Sequence, residues 1–250
     1  MSVTSEDDTR PRRIDVVIPV SRHGREVTAT IRSTEAAARA VGDAVAVDII
    51  LVVSDALVAR LPEAAAGHRL LSESTDVSSL LIAAGCAASA ADIVAVVEAG
   101  NHLSAPFLAA LGAGDVSEHR VWCPEVVITF GLRTGTARQP AYAPEAVGAR
   151  DLARRLAREK VWESTLAGTP AVIASAFRKA GSAGVVAASA ALLDAGVRVV
   201  PVPGAATFIR CWTAEAPRVH AGPILSPVDL LASSTLAPTD AREVGRAASH

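Results

Sequence analysis

Cysteines and long apolar runs are both scarce in this chain of 250 residues, and each scarcity excludes a class of protein. The three cysteines, Cys86, Cys123 and Cys211, are odd in number and widely spaced, so neither a disulfide framework nor a Cys-x-x-Cys metal knuckle is supported. The apolar stretches, such as residues 93–97, are far shorter than the roughly 20 residues that a membrane helix requires. We therefore expect no membrane span, and the reducing cytoplasm fits best.

Net charge is also low. The 24 Lys and Arg residues against 26 Asp and Glu residues give −2 at pH 7. Binding to DNA or RNA through counterion release needs a clustered excess of basic residues, so we expect no nucleic-acid partner. Residues 1–13 are polar and acidic, whereas a signal peptide has a basic start and an apolar core, so no secretion signal is predicted.

What the chain does have is enough apolar sequence for one substantial core, since half of its residues are hydrophobic. We predict a disordered leader at 1–13 and one domain at 14–216. After about residue 217 the sequence is rich in Pro, Ser and Ala and has little periodicity. Residues 217–250 are therefore predicted to be an extended or disordered tail.

The N-terminal part of the domain alternates strand and helix patterns. Residues 14–20 and 45–53 are β-branched runs that are typical of buried strands. Residues 26–40 between them have helical spacing of apolar residues, with Gly42 at the end. A strand, a helix and a strand in this order predict parallel pairing through a right-handed crossover.

A second helix and a third strand follow. Residues 76–91 predict a close-packed helix with Leu80, Leu81, Ala84 and Ala88 on one face, and residues 92–97 predict the strand. Parallel strands end at one edge of a sheet, where open α/β sheets bind ligands. Three loops are predicted to converge there: the one after Pro19, the one at Asp55 and the one over Glu98–Asn101.

The remaining pattern is less regular. It predicts a helix at 104–111, a strand at 121–129, a surface loop at 131–148 able to cover the site, an Arg-rich amphipathic helix at 151–163, a helix at 185–195 and a strand at 197–202.

Four segments resemble the family 2 glycosyltransferases, which are inverting enzymes with the GT-A fold: IDVVIPV, VDIILVVSDA, ADIVAVVEAGNHLSAPFLAAL and ALLDAGVRVVPVP. The similarity covers roughly residues 14–210. It implies an α/β single domain with a mostly parallel central sheet flanked by helices. It also implies a nucleotide-diphospho-sugar as one partner and an acceptor that the sequence does not identify.

The resemblance assigns nucleotide binding to a set of residues on the three loops: Pro19, Val20, Ser21, Arg22, Asp55, Glu98, Gly100 and Asn101. Where the family has an Asp-x-Asp metal motif, this chain has Glu98-Ala99-Gly100. Only one of the motif's two carboxylates remains, which leaves few hard oxygen ligands for binding Mg²⁺ or Mn²⁺. We expect at most weak metal binding at Glu98.

The family's catalytic base is missing at its usual place. The Glu-Asp pair that supplies it falls near Gly184–Val185, and no carboxylate lies between Lys179 and Asp194. His102 lies close to the Glu98-Ala99-Gly100 segment, and this position makes it the candidate for the base. The candidates for a cation on the departing diphosphate are Arg22, Arg25, Arg133 and Arg138.

Other chemistries lack their motifs. No Gly-x-Gly-x-x-Gly, P-loop or Gly-x-Ser-x-Gly sequence occurs, and residues 19–27 fit the phosphate loop of a sugar nucleotidyltransferase only in part. Two hypotheses remain: a divergent, metal-independent glycosyltransferase, or an inactive relative that acts as a binding module or accessory subunit with a protein partner or a second copy. A third interpretation makes Asp55 and Glu98 plain strand-end residues that accept hydrogen bonds from loop amides.

Overall fold

The structure is a computed structural model that describes residues 11–21, 26–131, 135–139 and 165–211. The strands are β1 (Arg12–Val20), β2 (Val45–Ser54), β3 (Arg69–Glu73), β4 (Ile93–Val97), β5 (His102–Leu103), β6 (Arg120–Gly131), β7 (Gly135–Arg138), β8 (Thr165–Gly168) and β9 (Arg198–Cys211). The α-helices are α1 (Val27–Val41), α2 (Ser78–Ala88), α3 (Ala105–Ala113), α4 (Pro170–Ala180) and α5 (Gly184–Asp194).

All of these strands belong to one mixed sheet with the order β3-β2-β1-β4-β8-β6-β9-β5, and β7 pairs with β6 outside this path. Strands β1, β2, β3 and β4 pair in parallel, as do β6 and β9, while β8 and β5 pair antiparallel with their neighbours. Because β8 is antiparallel to both β4 and β6, strands β4, β6 and β9 run in one direction. The carboxyl ends of β1, β2, β4, β6 and β9 therefore lie at one edge, here called the carboxyl edge.

Two apolar layers hold the helices on opposite faces of the sheet. On one face Val17 packs with residues of α2, α4 and α5, such as Leu81 and Phe177. On the other face the neighbouring Ile18 packs with residues of α1 and α3, such as Phe107. Alternate residues of one strand point to opposite faces, so a continuous apolar run fits a strand that is covered on both sides. The predicted α/β class, with a mostly parallel sheet flanked by helices, is confirmed.

The approach of α2 to the sheet depends on Gly85. A Cβ atom at this position would lie 2.6 Å from both Val17 Cγ1 and Val52 Cγ2. The backbone of α2 thus lies directly on β1 and β2, which leaves no room for a side chain.

Helix α2 is shorter than the predicted 76–91. Of the residues predicted to share one face, Leu81 is buried whereas 37% of Leu80 is exposed; α2 is apolar on most sides, so its pattern does not single out one face.

Several strands differ from the predictions. The strand predicted from residue 14 begins at Arg12, and the strand predicted for 197–202 extends as β9 to Cys211. The loop predicted at 131–148 contains β7, which pairs with β6 at residues 126–129. The predicted helix at 151–163 and the predicted tail at 217–250 lie outside the described residues. Within the part of the chain that the structure describes, no helix has the length and apolar character needed to cross a membrane.

Candidate functional site

The carboxyl edge gathers the strand ends that the sequence analysis singled out. Val20 at the end of β1 pairs in register with Val53 of β2, and Val17 pairs with Val96 of β4. The residues that follow these strands, namely Ser21, Asp55 and Glu98, therefore lie at the same edge of the sheet. This convergence is the main feature of the candidate site.

The end of β1 contributes backbone rather than side chains. Pro19 and Val20 are both buried, so their side chains belong to the core, whereas Ser21 is half-buried at the surface. Arg22 and Arg25 lie outside the described residues. The hydroxyl and amide of Ser21 are the polar groups that the described part of this loop offers to a ligand.

Asp55 begins a short 3₁₀ helix directly after β2 and is exposed. One of its carboxylate oxygens accepts a hydrogen bond from the hydroxyl of Ser72 on the neighbouring strand β3. Ser72 pairs with Val53 in the sheet, so the register of β2 and β3 brings the two side chains together. Ser72 orients the Asp55 carboxylate at the edge, a role that no sequence motif indicates.

The loop after β4 is fixed by hydrogen bonds to two helices. The Ser78 hydroxyl at the start of α2 donates to Glu98 Oε1 at 3.1 Å, and the Gly100 amide donates to Thr30 Oγ1 of α1 at 2.8 Å. A turn is closed by the Asn101 amide, which donates to the Glu98 carbonyl at 3.0 Å. Gly100 has a φ of 96°, a conformation that favours glycine. Gly100 therefore helps to fix the shape of this loop. It occupies the position at which the Asp-x-Asp motif has its second carboxylate.

Mg²⁺ and Mn²⁺ do not fit the residues at this loop. Glu98 is its one carboxylate and already accepts the bond from Ser78, while Asn101 is 5% exposed. No three His, Cys, Asp or Glu side chains come together as possible metal ligands anywhere in residues 11–21, 26–131, 135–139 and 165–211. Hard divalent cations are held by several oxygen ligands, so Glu98 alone does not make a divalent-metal centre.

His102 lies in β5, immediately after this loop, and is 1% exposed. Its ring meets the ring of Phe130 edge-on, with 5.6 Å between the centroids, and the guanidinium of Arg210 lies 5.6 Å from the same Phe130 centroid. Burial, with a smaller contribution from the charge of Arg210, lowers the pKa of His102 to about 4. His102 is therefore neutral at pH 7, and its burial favours a positioning role over contact with an acceptor.

The predicted base position lies in α5, which begins at Gly184. Asp194, the nearest carboxylate towards the C-terminus, is exposed at the far end of α5, next to the amino end of β9. That end of β9 is opposite the carboxyl edge. Asp194 is thus remote from Asp55 and Glu98 and does not replace the missing base.

A separate cavity of about 270 Å³ lies between α4 and α5, where Glu118, His119 and Lys179 line part of its wall. It adjoins the amino ends of β6 and β9, because Glu118 and His119 precede β6 and the His119 carbonyl accepts a hydrogen bond from the Arg198 amide at 2.8 Å. This cavity is therefore distinct from the carboxyl edge.

No known protein family matches the sequence, and no curated protein is similar to it in sequence. Solved structures with a similar arrangement include a nucleotidyl transferase from Methanothermobacter thermautotroptrophicus, with 14% identity, a TM-score of 0.45 and coverage of 80% of this chain and 88% of that one. A mannosyltransferase from Pyrobaculum calidifontis, in complex with GDP-Man and Mn²⁺, has 15% identity and a TM-score of 0.48, covering 80% of this chain and 57% of that one.

A mycobacterial protein is matched with 17% identity and a TM-score of 0.40, covering 91% of this chain and 76% of that one. These similarities concern the arrangement of strands and helices alone. Identities of 14% to 17% are too low to transfer an activity, a substrate or a metal to this chain.

Proposed function

We propose that this protein binds a nucleotide-activated sugar at the carboxyl edge of its sheet and transfers the sugar without a tightly bound metal. The observation that supports this most is the convergence of Ser21, Asp55 and the Glu98–Asn101 loop at one edge. Ligands of open α/β sheets bind at such an edge. Hydrogen bonds to Thr30 and Ser78 fix the loop, which lowers the entropy that binding has to overcome.

Each residue of the site has a proposed part. Asp55, oriented by Ser72, accepts hydrogen bonds from the nucleotide base or the ribose hydroxyls. Ser21 and the backbone of the loop after β4 contact the phosphates and the sugar. In transfer, the bond from the anomeric carbon to the diphosphate oxygen breaks, the acceptor oxygen bonds to that carbon, and the acceptor proton passes to a base. The chain's described part presents no carboxylate for this last step at the predicted place.

A specific observation favours a second candidate function, an inactive homologue that keeps the site as a binding module or accessory subunit. Gly184–Val185 stand where the base is expected, and the described residues hold no cluster of metal ligands. The loss of both groups lowers the rate of glycosyl transfer by orders of magnitude. On this alternative the protein binds the same ligand and acts with a partner or as a homo-oligomer.

A thermal-shift titration with UDP-, GDP- and dTDP-sugars, with and without Mn²⁺, tests the binding that both candidates share. A ligand at 100 times its Kd stabilises the native state by about 2.7 kcal/mol. We expect stabilisation by at least one nucleotide sugar and no further gain from Mn²⁺. Stabilisation that needs Mn²⁺ contradicts the metal-independent site, and no shift with any of the three overturns nucleotide-sugar binding.

Variants at the edge then separate catalyst from module. Asp55→Ala should weaken binding by roughly 10-fold, the loss expected for a hydrogen bond to a charged group. Glu98→Ala removes the acceptor of the Ser78 bond that fixes the loop, and it should weaken binding through the loop. Asp48→Ala is the matched control. Asp48 is an exposed residue of β2, the strand that ends just before Asp55, but it lies towards the amino end of that strand. Release of nucleoside diphosphate from the bound nucleotide sugar, abolished in the two edge variants, supports the enzyme. Binding without release, alone and with candidate partners, supports the module.

A further inference from the structure

Arg210 lies at the same edge as the proposed nucleotide-sugar site, although no sequence motif indicates it. It is the next-to-last residue of β9 and pairs in register with Phe130, the next-to-last residue of β6. Both strands run in the same direction as β1, β2 and β4. Arg210 is therefore carried to the carboxyl edge by the topology of the sheet.

The loop after β4 leads directly to this part of the edge. Asn101 is followed by β5, which pairs antiparallel with β9, so that His102 faces Phe208. Phe208 and Arg210 are two residues apart on one strand and therefore point to the same face. The chain that leaves the Glu98–Asn101 loop thus lies beside β9, the strand that carries Arg210 near its carboxyl end.

Aromatic packing holds the Arg210 side chain. Its guanidinium lies 5.6 Å from the Phe130 ring centroid, within the range of a cation–π interaction. His102 contacts the same ring edge-on and is neutral at pH 7, since its burial and the charge of Arg210 lower its pKa to about 4. Among these three side chains, Arg210 carries the positive charge, and its half-buried position strengthens its interactions relative to water.

We infer that Arg210 binds the diphosphate group of the nucleotide-activated sugar and supplies the positive charge that a metal does not supply at Glu98 and Gly100. This inference rests on the proposed function. A guanidinium forms paired hydrogen bonds with phosphate oxygens and keeps its charge at all physiological pH values. When the bond between the sugar and the diphosphate breaks, negative charge collects on the leaving oxygen, and a fixed cation at this place stabilises it.

The test compares nucleoside diphosphates with the corresponding nucleosides by isothermal titration calorimetry, in EDTA, on the full chain. Arg210→Gln should weaken binding of UDP, GDP or dTDP, whichever the wild type prefers, by roughly 10- to 100-fold and leave nucleoside binding unchanged. Arg210→Lys keeps the charge but loses the paired geometry, so its loss should be smaller. Arg198→Gln is the matched control, because Arg198 is exposed at the opposite end of the same strand.

Each outcome separates the two proposals. Equal diphosphate affinity in the wild type and Arg210→Gln overturns the role of Arg210 and leaves the proposed function standing. Equal losses in Arg210→Gln and Arg210→Lys overturn the charge-supplying part of the role, because they leave only the paired hydrogen bonds of the guanidinium to account for the loss. A wild type that binds no nucleoside diphosphate overturns both. Should Arg210→Gln fail to fold, as judged by circular dichroism, Arg210→Lys against Arg198→Gln decides: an affinity equal to the control overturns the role.

Discussion

The two halves of the sheet are built differently. The parallel half, β1 to β4 with α1 and α2, has neighbouring strands joined through helical or short 3₁₀ connections, and Val17, Val52 and Ile93 of its strands are fully buried. The mixed half, β5, β6, β8 and β9, contains the antiparallel β8 and a register shift between Pro124 and Val126. The parallel half sets the edge where Asp55 and Glu98 lie.

The mixed half holds the positively charged group proposed for the site, the guanidinium of Arg210. Phe130 and Arg210 are the next-to-last residues of its two long strands, and His102, in β5, directly follows the Glu98–Asn101 loop of the parallel half. The two halves are joined by β4 and β8, whose residues pair antiparallel from Val94 to Val97. A rigid apolar core in one half and a cation in the other predict that core substitutions in the parallel half change stability first, whereas those at Arg210 change ligand affinity first.

The largest effect is expected from Gly85→Val in the parallel half. Its Cβ would already lie 2.6 Å from two valine methyl groups of β1 and β2, so α2 has to move away from the sheet. We expect a loss of about 3 kcal/mol in the free energy of unfolding, measured by urea denaturation. Ala87→Val on the exposed side of the same helix is the control and should lose about 0.5 kcal/mol. Equal losses contradict the close contact.

A smaller effect concerns His102 and pH. Its pKa is about 4 in the folded protein and about 6.5 when unfolded, so between these values the unfolded chain binds more protons. Stability is therefore full above pH 6.5 and falls as the pH drops towards 4, by about 2 kcal/mol from pH 7.5 to pH 5. His102→Leu should remove this part of the pH dependence.

Urea denaturation at several pH values measures the His102 effect. Phe208→Leu, at the paired register position, is the control, because it changes packing at the same place without changing a titratable group. If His102→Leu and the wild type lose stability in parallel below pH 6.5, His102 is not held neutral by the mixed half.

A still smaller effect is expected at the loop that links the halves. Gly100→Asp restores the second carboxylate of the Asp-x-Asp pattern, but at a φ of 96° it should lower stability by roughly 1–2 kcal/mol. It should not create Mn²⁺ binding, because the bond from Ser78 and the loop geometry stay in place. Ala99→Asp is the control at the adjacent position. Tight Mn²⁺ binding by Gly100→Asp, measured by calorimetry, contradicts this account of the loop.

The smallest expected difference lies between the two buried thiols. Cys86 on α2 and Cys123 on β6 belong to different halves but to one apolar layer, and burial raises the pKa of both thiols. Both should react with iodoacetamide only when the layer opens, and at equal rates, as followed by mass spectrometry of the labelled peptides. Faster labelling of Cys123 would show that the mixed half opens separately.

The parallel half could be predicted from the sequence because its strands are continuous apolar runs. Residues 14–20 and 45–53 have this pattern, and the structure places β1 and β2 there. The mixed half could be predicted only in part: the strand predicted at 121–129 lies within β6, and the one predicted at 197–202 covers only the start of β9. Thr165–Gly168 is too short for a periodic signal, and Pro203 and Gly204 inside β9 look like a turn.

The candidate site, too, could be predicted from the sequence only in part. Asp55 and Glu98 follow predicted strands, so the edge was accessible from the sequence. Ser72, Thr30 and Arg210 were not, because their positions depend on strand register and helix packing between residues far apart in the chain. Sequence periodicity fixes which face a residue occupies but does not fix which distant residue it meets.

The most direct test of a nucleotide-sugar site at the carboxyl edge is an amide NMR titration of the full chain with UDP, GDP and dTDP. We expect saturable shifts at Ser21, Asp55, Gly100 and Asn101 with one of the three, in EDTA. Shifts confined to the cavity between α4 and α5, near His119 and Lys179, or no shifts with any nucleotide, would contradict it.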